Sequence, residues 1–170
     1  EAAQANDGDG LNGDGDATDR VLQVYDLDAT ANTATLASCS GVGTASCGAG
    51  VRQAATDFVL GDRAPAACNG QDVQLVAFRT SEAAQGGTDL NGDGDSLDDV
   101  LQVYDAVSHT MINTGQAVTP CQLEACDPHQ PYQVHGGVVK FLTFETDQGA
   151  DLDQDANKLG QASFTAKYGR

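Results

Sequence analysis

The segment Asp89-Leu90-Asn91-Gly92-Asp93-Gly94-Asp95-Ser96-Leu97-Asp98 places side-chain oxygens at its positions 1, 3, 5, 7 and 10. That spacing suits a hard cation. Calcium takes six to eight oxygen ligands at about 2.3–2.6 Å, and alternating donors let a short backbone wrap around it. Gly92 and Gly94 have no Cβ, so they permit the positive φ angles that turn successive carboxylates inward. Asp98 approaches from the start of the following strand and can close the shell, and the backbone carbonyl of Asp95 or Leu97 can add a donor. Without a cation, carboxylates crowded in this way repel one another.

The pattern recurs. Residues 11–26 read LNGDGDATDRVLQVYD and residues 90–105 read LNGDGDSLDDVLQVYD, with thirteen of sixteen positions identical. The first copy therefore carries Asn12, Asp14, Asp16 and Asp19 in ligand places. Its position 1 is Gly10, so Asp9 or Asp7 must substitute. A degenerate third copy has Asp151, Asp153, Asp155 and Asn157, but Ala156 replaces a glycine and Gly160 replaces the closing Asp, which makes it the poorest site. Asn-Gly and Asp-Gly are also hairpin-turn dipeptides, yet two near-identical copies with ligand-like spacing weigh against turns without metal.

Composition bounds the remaining options. Twenty-five acidic residues against eight basic ones give a formal net charge of −17. Nucleic acid and anionic membrane surfaces need clustered Lys and Arg and are excluded as partners on that ground. The acids gather at 7–19, 89–99 and 147–155, which points to local cation sites and not to a generally solvated surface. No stretch has the length of a membrane span. Of the five cysteines, Cys39 and Cys47 stand eight apart and Cys121 and Cys126 five apart. Neither spacing is a zinc or haem motif; short disulfide loops in an oxidising, extracellular compartment fit better. Cys68 is left as a buried thiol or as a partner for another cysteine or another chain.

The elements that must position these loops read as strands. Residues 72–81 are apolar on both faces at Val73, Leu75, Val76 and Phe78, as for a strand inside a sheet. Residues 100–105 and 109–118 follow as strands, with equivalents at 21–26, 32–37, 134–145 and 162–168, and a further one at 57–60. No window carries a sustained helical period with caps. The expected fold class is all-β, built of antiparallel repeat units as a β-sandwich or as partial propeller-like blades. The units are read as residues 1–80 (lacking a first strand), 81–146 and 147–170, in one compact domain. Phe78-Arg79-Thr80 followed by Asp89-Leu90-Asn91 is echoed in the third unit by Phe144-Glu145-Thr146 followed by Asp151-Leu152-Asp153, and Glu1-Ala2-Ala3-Gln4 recurs as residues 82–85. The chain begins with Glu1 and reads as a mature or excised piece. On that reading residues 21–26 lack the hairpin partner that 100–105 have, leaving an open sheet edge.

Residues 81–105, SEAAQGGTDLNGDGDSLDDVLQVYD, resemble the repeats of secreted bacterial proteins, and the likeness covers about half of the chain. The loops are also similar to calcium loops of the dockerin, thrombospondin type 3 and integrin-α propeller kinds. The resemblance implies extracellular propeller-type or sandwich-type repeats, with ligand roles carried over only to the Asp and Asn positions named above. Val100 stands where an EF-hand loop needs Glu, and Leu97 where the integrin-type loop has an acid.

No residue set points to catalysis. His129 lies in a Pro-flanked loop, His109 and His135 suit structural roles, and no Ser, His and Asp are ordered as a triad. Gly41-Val42-Gly43 lacks the third glycine and the βαβ context of a dinucleotide loop. Tyr25 and Tyr104, at equivalent positions, suit cross-strand packing better than sugar stacking. Glu1 and Glu82 recur beside the loops as further candidate ligands. The expectation is a non-enzymatic structural protein of the cell surface or matrix, with calcium as cofactor and copies of itself as partners in a fibre built by β-strand addition. The rival readings are a carbohydrate- or protein-binding module of a larger secreted chain and a fragment of a secreted hydrolase.

Overall fold

The structure is a computed structural model that describes residues 10–42, 52–66, 69–119, 132–154 and 161–167. It is all-β. The strands are β1 (Val21–Gln23), β2 (Tyr25–Asp28), β3 (Thr33–Leu36), β4 (Ser40–Val42), β5 (Arg52–Ala54), β6 (Phe58–Leu60), β7 (Ala64–Pro65), β8 (Asp72–Val73), β9 (Leu75–Ser81), β10 (Asp99–Asp105), β11 (Thr110–Ala117), β12 (Gln133–His135), β13 (Val138–Phe144) and β14 (Gln161–Lys167). Among the described residues the helical element is one 3-10 turn at Ala83–Gln85. Among the described residues no helix is long and apolar enough to cross a membrane.

The central sheet runs β4-β11-β10-β9-β6, antiparallel except for the parallel pair β4 and β11. Burial on both faces explains the continuous apolar run of β9. Opposite residues of an antiparallel pair share a face, so Phe78 with Gln102 and Val76 with Tyr104 face one way. Ala77 with Val103 and Leu75 with Asp105 face the other. The first face packs Val76, Phe78, Tyr104, Met111 and Ala37 into one apolar cluster. On the second, Leu75, Ala77, Leu101 and Val103 meet Tyr132, Val139 and Phe141, beside the sheet β12-β13-β14. Truncating a side chain as enclosed as Phe78 or Leu101 costs about 2–5 kcal/mol.

Several expected strands divide. Residues 72–81 break at Gln74, whose N–H is turned to the carboxylate of Asp105 at 3.0 Å. Residues 134–145 are not one strand but a hairpin: Val134 pairs with Val139 and His135 with Val138. The two residues between them, Gly136 and Gly137, both have positive φ, +55° and +76°, as a type I′ turn requires.

Residues 21–26 also divide, at Val24, into β1 and β2. β2 pairs with β3, Tyr25 opposite Leu36, as Tyr104 pairs with Met111 in β11. β1 pairs with β5, Val21 opposite Ala54, as Val100 pairs with Ala117. Thus β3 and β5 together stand where β11 stands in the second unit, with residues 37–51 inserted between them. The opposite edge of β1 and β2, which in β10 carries β9, pairs with no strand among the described residues. Tyr104 is fully buried and Tyr25 is 48% exposed, because β10 is covered on both sides while β2 has a single neighbour.

Candidate metal centre

The second acidic segment is a loop between a glutamate-bearing turn and the next strand. In the second unit, β9 runs into the 3-10 turn, and the turn ends at Gly86, whose φ is +72°. Glu82 opens the turn and is completely buried. Its Oε1 accepts Leu90 N–H at 2.6 Å and Asn91 N–H at 3.4 Å, and its Oε2 accepts Asp98 N–H at 3.2 Å. One carboxylate therefore gathers both ends of the loop. Between those ends the chain folds through successive Asx turns, with Asp93 N–H on Asn91 Oδ1, Asp95 N–H on Asp93 Oδ1 and Leu97 N–H on Asp95 Oδ1. Gly92 and Gly94 take φ of +82° and +103°, in the region glycine enters without a Cβ penalty.

Carboxylate oxygens of Glu82, Asp95 and Asp98 come within 4.8 Å of one another, an arrangement that could hold a metal ion. Two of these residues fall on the expected ligand pattern, and Glu82 is the flanking residue singled out with it. Asp93 lies beside the group, and its charge helps to raise the Asp98 carboxyl. Asp89 is occupied differently, since its Oδ1 and Oδ2 accept the N–H groups of Gly92 and Gly94 at 2.6 and 3.1 Å. Asn91 donates from Nδ2 to Asp98 Oδ2 at 3.0 Å. Burial, reinforced by Asp93, Glu82 and Asp147 and opposed by the Asn91 hydrogen bond, pushes the Asp98 carboxyl up to about 7.

The first loop repeats two of the three Asx turns. Asp14, Asp16 and Asp19 form a group of the same tightness. Asp16 N–H donates to Asp14 Oδ1 at 3.1 Å, and the N–H and hydroxyl of Thr18 both donate to Asp16 Oδ1 at 2.8 Å. Burial and a shared hydrogen bond with Asp14 raise the Asp19 carboxyl. Burial also pushes Asp14 upward, but hydrogen bonds from Asp16, Asp19 and Asn12 outweigh it and hold that carboxyl low. Gly10 explains how this loop closes with no carboxylate at its first position. A Cβ there would stand 3.1 Å from Asn12 Oδ1, 3.0 Å from Asp14 Oδ1 and closer still to the carbonyl oxygen of Asp16. Three oxygens from loop positions 3, 5 and 7 converge on that point, and Asn12 Oδ1 is solvent-shielded with no hydrogen-bond partner among the described residues.

In the third loop, Glu145, Asp151 and Asp153 make the corresponding group. Glu145 is fully buried, and its Oε1 accepts Leu152 N–H at 2.6 Å and Asp153 N–H at 2.9 Å. Glu145 is thus the counterpart of Glu82, which shifts the expected alignment of Phe144-Glu145-Thr146 on Phe78-Arg79-Thr80 by three residues. The signal was present as Glu-x-x-Gln-Gly, at residues 82–86 and again at 145–149. Gln154 stands where Gly13 and Gly92 stand in the other loops and adopts the same left-handed backbone, φ +65°. Asp7, Asp9, Asp155 and Asn157 lie outside the described residues, as do Glu1 and the cysteines other than Cys39.

Behind the second loop, the Arg79 guanidinium joins Asp57 and Asp99, with Nε–Oδ1 and Nη1–Oδ2 distances of 3.0 Å. Tyr132 donates its hydroxyl to Asp57 Oδ1 at 2.8 Å. This network anchors the strand onto which Asp98 leads. His109 Nδ1 lies 3.0 Å from the hydroxyl of Tyr104, which also donates to Ser38 O at 2.9 Å.

Compared with known protein families, with curated proteins and with solved structures, the chain shows no match to any of the three.

Proposed function

We propose that this chain is an extracellular structural protein in which calcium fixes the acidic hairpin loops. The observation that carries this reading is the convergence of Asn12 Oδ1, Asp14 Oδ1 and the Asp16 carbonyl on one point beside Gly10. All donors there are oxygens, which favours a hard cation over zinc or copper, and a flexible loop of mixed carbonyl, amide and carboxylate donors suits calcium better than magnesium. Holding such a loop costs conformational entropy, and an ion bound only to the folded form offsets it. The disulfide-bonded state of Cys39 supports an oxidising, extracellular compartment.

The proposed assembly is a fibre of copies joined by β-strand addition at the β1–β2 edge. The support is the pairing pattern: β10 has neighbours on both edges, whereas among the described residues β1 and β2 are paired only on the edge corresponding to β11. A second reading, a carbohydrate- or protein-binding module, is favoured by a groove of about 690 Å³ lined in part by Tyr25 and Phe58, which are 48% and 59% exposed.

Calorimetric titration of the chelator-treated chain with calcium chloride tests the metal reading. Saturable binding that Asp14→Ala and Asp93→Ala each diminish by one site supports it, and the absence of binding at millimolar calcium defeats it. Sedimentation in the same buffer tests assembly, where a monodisperse monomer argues against the fibre. Saturable, calcium-dependent binding on a glycan array would favour the module instead.

A further inference from the structure

The turn at 82–86 has two working sides. Toward its own loop it presents the Glu82 carboxylate, which holds Leu90, Asn91 and Asp98 by their N–H groups. Toward the preceding loop it presents the carbonyl of Ala84, which accepts Asn12 Nδ2 at 2.8 Å. Gln85 adds a second tie, donating from Nε2 to Asn12 O at 3.4 Å and accepting Ala54 N–H on Oε1 at 2.9 Å. Gly86 completes the contact, since a Cβ there would meet Asp14 Cβ at 3.2 Å.

The turn at 145–149 repeats these contacts except one, since Gln148 Nε2 donates to Gly115 O at 3.1 Å and not to the preceding loop. Asn91 Nδ2 donates to Asp147 O at 2.9 Å, and Gln148 Oε1 accepts Ala117 N–H at 2.7 Å. A Cβ on Gly149 would meet Asp93 Cβ at 3.0 Å, and Glu145 holds the third loop. The first and second loops thus each rest on the turn that shapes the loop after them.

We infer that the loops fill cooperatively, an ion in one loop raising the affinity of the loop after it. This rests on the calcium reading above. The asparagine is the coupling element because its amide works at both ends. Asn12 Oδ1 is one of the converging oxygens and has no hydrogen-bond partner among the described residues, while its Nδ2 grips the next turn. A cation on Oδ1 polarises the amide and strengthens the bond donated by Nδ2, as in any hydrogen-bonded chain. That bond fixes the turn, and with it the position of the Glu82 carboxylate at the second site.

The test is calcium chloride titration of the full chain by calorimetry, in an Asp151→Ala background that sets the third loop aside. Asp16→Ala leaves the second loop to bind alone, and Asp95→Ala leaves the first. Coupling makes the product of the two binding constants of the intact pair exceed the product of the two single-loop constants by about fivefold or more. Gln85→Ala, checked for an unchanged circular dichroism spectrum, brings that ratio toward one. Two ions bound with a ratio of one in the intact pair overturn the coupling alone. No bound calcium overturns the coupling together with the metal reading.

Discussion

The side-chain amide of Asn91 lies 2.9 Å from the carbonyl oxygen of Asp147, fifty-six residues away in the chain. The same bond joins Asn12 to Ala84. An asparagine is needed there because the position must offer an oxygen to the loop and an N–H to the next turn, which aspartate cannot do. Asn91→Asp should therefore weaken the contact between units by about 1–3 kcal/mol in chelator, where an unpaired carbonyl faces a carboxylate. Urea denaturation of parent and variant with and without calcium measures it. An unchanged midpoint in chelator sinks the assignment.

Glu82 provides a second expectation. Its buried carboxylate accepts three N–H groups, and a glutamine would turn an NH₂ group against some of them. Glu82→Gln should lower stability by about 1–3 kcal/mol and weaken calcium binding at the second loop, leaving the first loop able to bind. Calorimetric stoichiometry and thermal unfolding together check this. A variant with two parent-like sites would remove Glu82 from the metal centre.

The pH dependence follows from Asp98. Its carboxyl is raised from 3.8 to about 7 in the folded chain without metal, so between those values the folded state keeps a proton that the unfolded state has lost. The contribution of this group to stability falls as pH rises from 3.8 toward 7 and then levels off. A bound cation needs the ionised form, so calcium binding below pH 7 should release protons and weaken as pH falls. Titrations at pH 6 in buffers of different ionisation enthalpy measure the release. Asp98→Asn should diminish it.

Gln154 occupies a glycine position with φ of +65°. The left-handed region costs a residue with a Cβ about 1–2 kcal/mol, while glycine loses more entropy on folding. Gln154→Gly should stabilise the protein by about 0.5–1 kcal/mol, seen as a higher melting temperature in chelator. A lower melting temperature would mean that the glutamine side chain contributes more than its backbone strain removes.

How far these features were legible in the sequence depended on whether chemistry or pairing set them. The Asn-Gly-Asp-Gly-Asp runs announced oxygen clusters because donors and permissive glycines alternate at fixed spacing. Val76, Phe78 and Tyr104 announced their sheet through apolar β-forming side chains. Arg52-Gln53-Ala54 announced nothing, since no alternation marks β5; its register comes from Val21 and from the side chain of Gln85. Gly136-Gly137 was a readable hairpin turn passed over inside an apolar run. Glu145 escaped because Thr146 and Asp147 replace the two alanines that follow Glu82, and only the Gln-Gly ending survives to mark the turn.

The Arg79 network separates loop effects from framework effects. The guanidinium side chain is only 11% exposed and compensates Asp57 and Asp99, while Tyr132 fixes Asp57 from the other side. Removing the cation leaves two carboxylates close together without a counter-charge, a loss of about 3–5 kcal/mol for a buried pair. Arg79→Met should therefore destabilise the protein by roughly that amount in chelator and in calcium alike, because none of the loop oxygens changes. Arg79→Lys restores the charge but not the forked geometry and should recover part of the loss. Denaturation curves in both conditions decide the matter. A deficit that vanishes in saturating calcium would show that the network serves the metal loop and not the sheet beneath it.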